Sequence, residues 1–381
     1  MHSVRNSVGS LLIAALLAGT GTAQAQSAKL EEAAGLTGFA MFVASGAVGM
    51  VLAVVDGDDQ LVVGYGETAE GSGQTPDGKS LLRIGSNSKV FAGELLGGLA
   101  AEGVVSRTDP LQRFAPEGIH VPDFEGRTIT LLDLATHSGG LPRDIPLDPP
   151  PNSPPFTWPT TADRFAWLAD FTLPWAPGSV ASYSNVGFDL LGAALATATN
   201  LSYPDLLRER ITGPLGMSDT VLEPSQEQCA RMMTGYGIPG ADAEPCVSTA
   251  NIGGSGGLYS TGDDMVLWLR HNLSRDDPAA WPTLALSHAP YLDRTTLDAA
   301  IGFDEAGTMD AIALAWLVEQ PAEHRPMILQ KSGGLAGFMS YTVFAPGRGV
   351  GVFVAVNRID FGMFAGLTGG ANELIASLAP H

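Results

Sequence analysis

The chain has 381 residues, with 40 acidic and 20 basic side chains and a formal net charge of −20. That balance argues against a nucleic-acid binder or a protein held on an anionic membrane, since both need a positive face. Its length exceeds the roughly 250–300 residues at which single cores stop growing, so two packed subdomains are expected.

Residues 1–25 read as a secretory signal, with Arg5 in a short basic start, an apolar run from Leu11 to Leu17 and a small-x-small site at Ala23-Gln24-Ala25. The mature chain then begins at Gln26 and is exported, most simply to the periplasm. The apolar run is too short to span a bilayer, and no later stretch approaches the roughly 18–20 residues a membrane helix needs. Membrane association is therefore at most peripheral, through an uncleaved signal.

Met50 to Val55 and Leu61 to Tyr65, separated by Asp56-Gly57-Asp58-Asp59, predict a hairpin of largely buried strands. From Ser86 to about Arg270 the apolar residues mostly recur at helical spacing, as in Val90, Leu95, Leu96 and Leu99. Eight prolines between Pro142 and Pro159 predict a stiff irregular loop, either a rim to a cleft or a spacer. Toward the C-terminus, Ala311 to Val318, Met327 to Gln330, Met339 to Phe344 and Val350 to Val356 read as strands. Strands at both ends with helices between them predict an α+β fold. An antiparallel sheet subdomain (26–80 and 300–381) would carry an inserted, mainly helical subdomain (81–299), with the active site between them.

Cys229 and Cys246 are the only cysteines. In an exported protein such a pair is most simply a disulfide, worth about 3 kcal/mol by loop closure; two buried thiols are the alternative. No metal is expected, because two cysteines with no nearby histidine are too few ligands and no His-Glu-x-x-His spacing occurs.

Four lysines stand against sixteen arginines, and two of the four carry chemistry. Lysine, unlike arginine, can lose its proton when desolvated or set beside another cation. Lys89 follows Ser86 by three residues where a helical pattern begins, which puts both side chains on one face. A serine hydroxyl becomes a nucleophile when such a base takes its proton. In Tyr183-Ser184-Asn185, the tyrosine can relay a proton to a leaving group and the Asn185 amide can hold a substrate carbonyl. In Lys331-Ser332-Gly333, the lysine supplies positive potential, Ser332 can bind a carboxylate, and Gly333 can admit a substrate backbone.

In this order the three motifs resemble those of the serine penicillin-recognising enzymes, and the tyrosine form of the second resembles the class C β-lactamase branch. Leu131 to Pro142, Pro214 to Met217 and Gly256 to Thr261 are similar to family segments as well, so the likeness covers nearly the whole mature chain. Within the branch, Tyr183-Ser184-Asn185 running into Phe188-Asp189-Leu190-Leu191, Phe156-x-Trp158-Pro159-Thr160, and Pro224-Ser225-x-x-Gln228-Cys229 with a second cysteine downstream resemble the D-alanyl-D-alanine carboxypeptidase/endopeptidases. The resemblance implies a β-lactamase/transpeptidase-like fold and an acyl-enzyme on Ser86, with Lys89 as base assisted by Tyr183. It also implies an oxyanion hole from the Ser86 and Gly334 amides, substrate contacts from Asn185, Lys331, Ser332, Gly333 and Gly334, and no cofactor. Peptidoglycan peptides and β-lactams would be its substrates or inhibitors, met by a monomer. Ser332 stands where many relatives carry threonine, and the acidic deacylating residue of class A enzymes has no clear counterpart. A β-lactamase or an esterase of the same fold would use the same constellation.

One rival motif exists. Gly253-Gly254-Ser255-Gly256-Gly257 satisfies Gly-x-Ser-x-Gly, with Asp304 or Asp310 and then His324 in the order of an α/β-hydrolase triad. The polar Cys246 to Asn251 segment is a poor buried strand, so the glycines read as a tight loop. His137 reads as a turn or core histidine.

Overall fold

The computed structural model describes residues 28–237, 244–303 and 306–379. The signal expected at 1–25, Gln26 and Asp304 lie outside these residues. Eight strands form one antiparallel sheet: β1 (Gly49–Asp56), β2 (Asp59–Gly66), β3 (Leu292–Asp293), β4 (Ala311–Ile312), β5 (Leu317–Glu319), β6 (Ile328–Leu335), β7 (Phe338–Ala345) and β8 (Val350–Val356). Their spatial order is β2-β1-β8-β7-β6-β5-β4-β3, so the first and last long strands pair and one sheet unites both ends of the chain.

Period-2 alternation sends Met50, Leu52 and Val54 of β1 to one face and Val51, Ala53 and Val55 to the other, and all six are buried. A strand apolar on both faces must be covered on both. Helix α1 over residues 28–45 and, at the end of the chain, the helix Phe361–Leu378 cover the first face, where Leu30, Met41, Phe364 and Leu374 share a core with Met50, Leu52 and Val54. Helices α2 (Ser88–Ala101), α3 (Asn185–Thr199) and α4 (Gly262–Leu273) contribute Leu95, Leu191 and Leu269 to the core of the second face. Helix α2 is buried nearly all round, as expected of a helix with so few polar positions.

The strand expected over Ala311 to Val318 is two. β4 and β5 are joined by a tight turn in which Ala315 has φ of +68° and the Ala313 amide donates to the Trp316 carbonyl at 2.9 Å. The turn reaches into the helical layer, where the Ala315 amide donates to the Ala135 carbonyl at 2.9 Å. A continuous apolar run does not reveal such a break, because every residue of the turn is itself buried.

Candidate active site

The short strand Leu82–Arg83 pairs antiparallel with Tyr259–Ser260, and from its end the chain turns through a 3-10 segment, Gly85–Asn87, into α2. Gly85 has φ of +53°, and a Cβ there would lie 2.5 Å from the Gly334 amide nitrogen, so glycine is required twice over. Ser86 thus sits in the turn just ahead of the helix, and Lys89 follows in its first turn. The Lys89 side chain is fully buried, with Nζ 3.2 Å from Ser86 Oγ and 2.7 Å from Asn185 Oδ1, and it also donates to the Ser255 carbonyl. Burial holds the Lys89 pKa well below the ordinary lysine value; the positive charges of Lys331 and Arg143 push it further down, against Asp189 and Asp144. A neutral Lys89 keeps its two N–H groups on Asn185 and Ser255 and turns its lone pair to the Ser86 hydroxyl.

Ser184 caps α3: its hydroxyl accepts from the Gly187 amide at 2.9 Å and donates to the Pro142 carbonyl at 2.7 Å. Its own amide donates to His137 Nδ1 at 2.9 Å, and the Tyr183 amide donates to the Ile301 carbonyl at 3.0 Å. With the backbone held on both sides, the Tyr183 ring stacks on His137 at 4.4 Å between centroids. Three basic side chains surround this ring, with Lys89 Nζ at 4.8 Å, Arg143 Cζ at 4.8 Å and Lys331 Nζ at 5.0 Å from its centroid. Lys331 Nζ also donates to Tyr183 Oη at 3.4 Å. His137 is buried in a turn at φ of +58°, and burial followed by the charges of Lys89 and Lys331 lowers its pKa, so it stays a neutral acceptor, in keeping with a core histidine.

Lys331 and Gly333 lie on the same face of β6, paired with Thr342 and Ser340 of β7, and at Gly333 that face meets the Ser86 turn. Ser332 is partly exposed and its carbonyl accepts from Lys331 Nζ at 2.9 Å. Gly333 makes room for the protein's own backbone. A Cβ there would lie 2.1 Å from the Ile84 carbonyl oxygen and 3.0 Å from the Asn87 amide nitrogen, so the backbone it admits is the protein's own Ser86 turn. Gly334 is exposed beside that turn, and it and Ser86 line one cleft of about 410 Å³.

The proline-rich segment rims this cleft, with Leu147, Pro149, Trp158 and Pro159 in its wall. It is tied down at Phe156, whose ring lies 5.3 Å from the buried Arg83 guanidinium, and at the Thr157 carbonyl, which accepts from Asn251 Nδ2 at 2.9 Å. Four further groups at the site were not foreseen. Asp144 Oδ1 accepts from Asn185 Nδ2 at 2.9 Å, the Arg143 guanidinium covers Tyr183, and Asp189 is ion-paired with the buried Arg164 at 2.8 Å while accepting from the Ser255 amide at 3.0 Å. Two signals pointed to them. Arg143-Asp144 follows directly on the family-like segment ending at Pro142, and Asp189 lies four residues after Asn185, one helical turn along the same face.

The nucleophile-elbow alternative fails on geometry. Residues 244–254, which lead into Ser255, form no strand, and the Ser255 hydroxyl donates back to the Ile252 carbonyl at 3.3 Å. His324 has 86% of its side chain exposed, and Asp310 Oδ2 accepts from the Gln320 amide at 2.7 Å. Cys229 and Cys246 form a disulfide with Cα atoms 5.7 Å apart. Among the described residues no helix is long and apolar enough to cross a membrane.

The Beta-lactamase family profile matches residues 28–371. The D-alanyl-D-alanine-carboxypeptidase/endopeptidase AmpH of Escherichia coli K12 is 40% identical over 339 residues, covering 89% of this chain and 87% of that protein. A β-lactamase of the same organism is 26% identical over 323 residues, covering 77% and 79%. Among solved structures, a β-lactamase/D-alanine carboxypeptidase from Yersinia pestis, crystallised with citrate, superposes with a TM-score of 0.86 at 39% identity, over 92% of this chain and 98% of that one. The fold is therefore the β-lactamase/transpeptidase fold that the motifs implied, and the chain belongs to the β-lactamase family.

Proposed function

We propose that this protein is a periplasmic serine DD-peptidase, a D-alanyl-D-alanine carboxypeptidase/endopeptidase that cleaves peptidoglycan stem peptides through an acyl-enzyme and is acylated by β-lactams. The observation that carries the reading is the buried Lys89, 3.2 Å from Ser86 Oγ and depressed in pKa by burial and by Lys331. Neutral Lys89 takes the Ser86 proton as Oγ attacks the D-Ala carbonyl carbon. The Ser86 and Gly334 amides stabilise the oxyanion, and Asn185 holds the acyl side. Tyr183 Oη, beside Lys331, delivers its proton to the amide nitrogen as the C–N bond breaks and regains one from protonated Lys89, which leaves both groups as they began. Lys331 and Ser332 hold the terminal carboxylate of the leaving residue. Water then attacks the ester, releasing the acyl group as a carboxylic acid and returning the proton to Ser86. The enzyme acts as a monomer on the sheet-to-helix boundary, exported by its cleaved N-terminal segment.

Labelling the purified protein with a fluorescent penicillin and mapping the adduct by mass spectrometry tests the site. An adduct on Ser255, or labelling that survives Ser86→Ala, overturns it. Release of D-alanine from muropeptides and cleavage of cross-linked dimers test the activity. Rapid nitrocefin turnover with no muropeptide product would replace the peptidase by a β-lactamase, and turnover of short esters alone by an esterase.

A further inference from the structure

We infer that Asp144 is a specificity-determining residue, selecting acyl groups that end in an aliphatic ammonium; this rests on the acyl-transfer reading of the site. The cleft of about 410 Å³ beside Ser86 is lined by Asn185 and Gly334 but not by Lys331 or Ser332. If the leaving residue's carboxylate lies on those two, this cleft takes the other side of the scissile bond, the acyl part.

Its charges are unequal in availability. Asp189 is buried and committed, ion-paired with Arg164 at 2.8 Å and accepting from the Ser255 amide at 3.0 Å. Asp144 is exposed, and among the described residues no cation forms an ion pair with it. One oxygen, Oδ1, accepts from Asn185 Nδ2 at 2.9 Å, while Asn185 Oδ1 accepts from Lys89 at 2.7 Å. The second carboxylate oxygen is left to accept from a ligand, and the remaining Asn185 N–H to donate to a substrate carbonyl. Leu147, Pro149, Trp158 and Pro159 line the same cleft and give it an apolar wall suited to methylene groups. A chain of several CH₂ groups along that wall places a terminal ammonium at Asp144, with the Trp158 ring as a second attraction.

The test compares two acyl donors differing only in that charge: Nα-acetyl-L-lysyl-D-Ala-D-Ala with a free side-chain amine, and its Nε-acetyl counterpart. The wild-type enzyme should prefer the free amine roughly tenfold in kcat/KM at low salt, with the ratio shrinking as salt rises. Asp144→Asn keeps an acceptor for Asn185 and should bring the ratio close to one; because the ratio is internal to each variant, any uniform loss cancels. A wild-type ratio near one, or a ratio unchanged in Asp144→Asn, overturns the inference. If either peptide is cleaved too slowly, both are ranked as competitors of penicillin labelling, with the same two criteria. Penicillin labelling of Ser86 is read on the same preparations: its absence sinks the acyl-transfer reading, whereas labelling with no charge preference sinks only the role of Asp144.

Discussion

The coupling between the two site lysines can be tested through the pH dependence of acylation. Lys89 and Lys331 Nζ lie 4.8 and 5.0 Å from the Tyr183 ring centroid, so they are at most about 9.8 Å apart. At that limiting distance and an effective dielectric of about 20, two unit charges repel by about 1.7 kcal/mol, the least the pair contributes. With tenfold per 1.36 kcal/mol, the repulsion enriches the neutral, reactive form of Lys89 by a factor of roughly 18 or more on the acid side of its titration. Protonated Lys89 cannot accept the Ser86 proton, so acylation rises as pH rises through the Lys89 titration. Lys331→Met removes the repulsion, makes Lys89 easier to protonate, and should move the acid limb to higher pH. On that limb the rate should fall by a factor of roughly 18 or more beyond any loss seen on the plateau. Lys331→Arg keeps the charge and should leave the limb in place, whereas Lys89→Arg removes the base at every pH. The assay is single-turnover acylation by a chromogenic ester lacking a carboxylate, so that lost substrate binding at Lys331 does not intrude. An unmoved limb in Lys331→Met, or equal losses in Lys331→Arg and Lys89→Arg, would refute the reasoning.

Gly333→Ala puts a Cβ 2.1 Å from the Ile84 carbonyl oxygen and must shift the Ser86 turn; penicillin acylation should drop about 100-fold with circular dichroism unchanged. Arg164→Met leaves Asp189 buried without its counter-ion and should cost about 3–5 kcal/mol in urea unfolding, most of it recovered by adding Asp189→Leu. Replacing both cysteines by serine opens a link spanning 17 residues and should cost about 3 kcal/mol. Burial, then the charges of His271 and Arg275, pushes His288 down to about 3, so its neutral form favours the fold above the unfolded pKa of 6.5. Between there and pH 5 the unfolded state gains the proton first, and stability should fall by about 2 kcal/mol through this residue. His288→Gln should flatten the acid slope of the urea midpoint by that amount, and an unchanged slope would remove His288 as its source.

Much of this was legible in local pattern. The three-residue spacing of Ser86 and Lys89 is a property of one helical turn, and the two-sided apolar runs at Met50 to Val55 and Val350 to Val356 require a sheet covered on both faces. Ser184 between Tyr183 and Asn185 is an N-cap residue ahead of a helical pattern, and it behaves as one. The turn at Ala315 is not legible in the sequence, because it is apolar and held by contact with a distant helix. The roles of Asp144 and Asp189 are not legible along the chain, because what commits each is a distant partner: Asn185 for Asp144, Arg164 and the Ser255 amide for Asp189.

The sequence by itself determined the family, the sheet-forming runs and the pairing of a serine with a lysine one turn away, all of which depend on neighbours along the chain. Only the tertiary structure decided which charges crowd Lys89, what Gly333 makes room for, and which carboxylate in the cleft is left for a ligand. Lys331 reaches Tyr183 from 148 residues away because β6 pairs with β7 in one register, Lys331 opposite Thr342. A proton's affinity is set by burial and by charge through space, and neither is written at any single position.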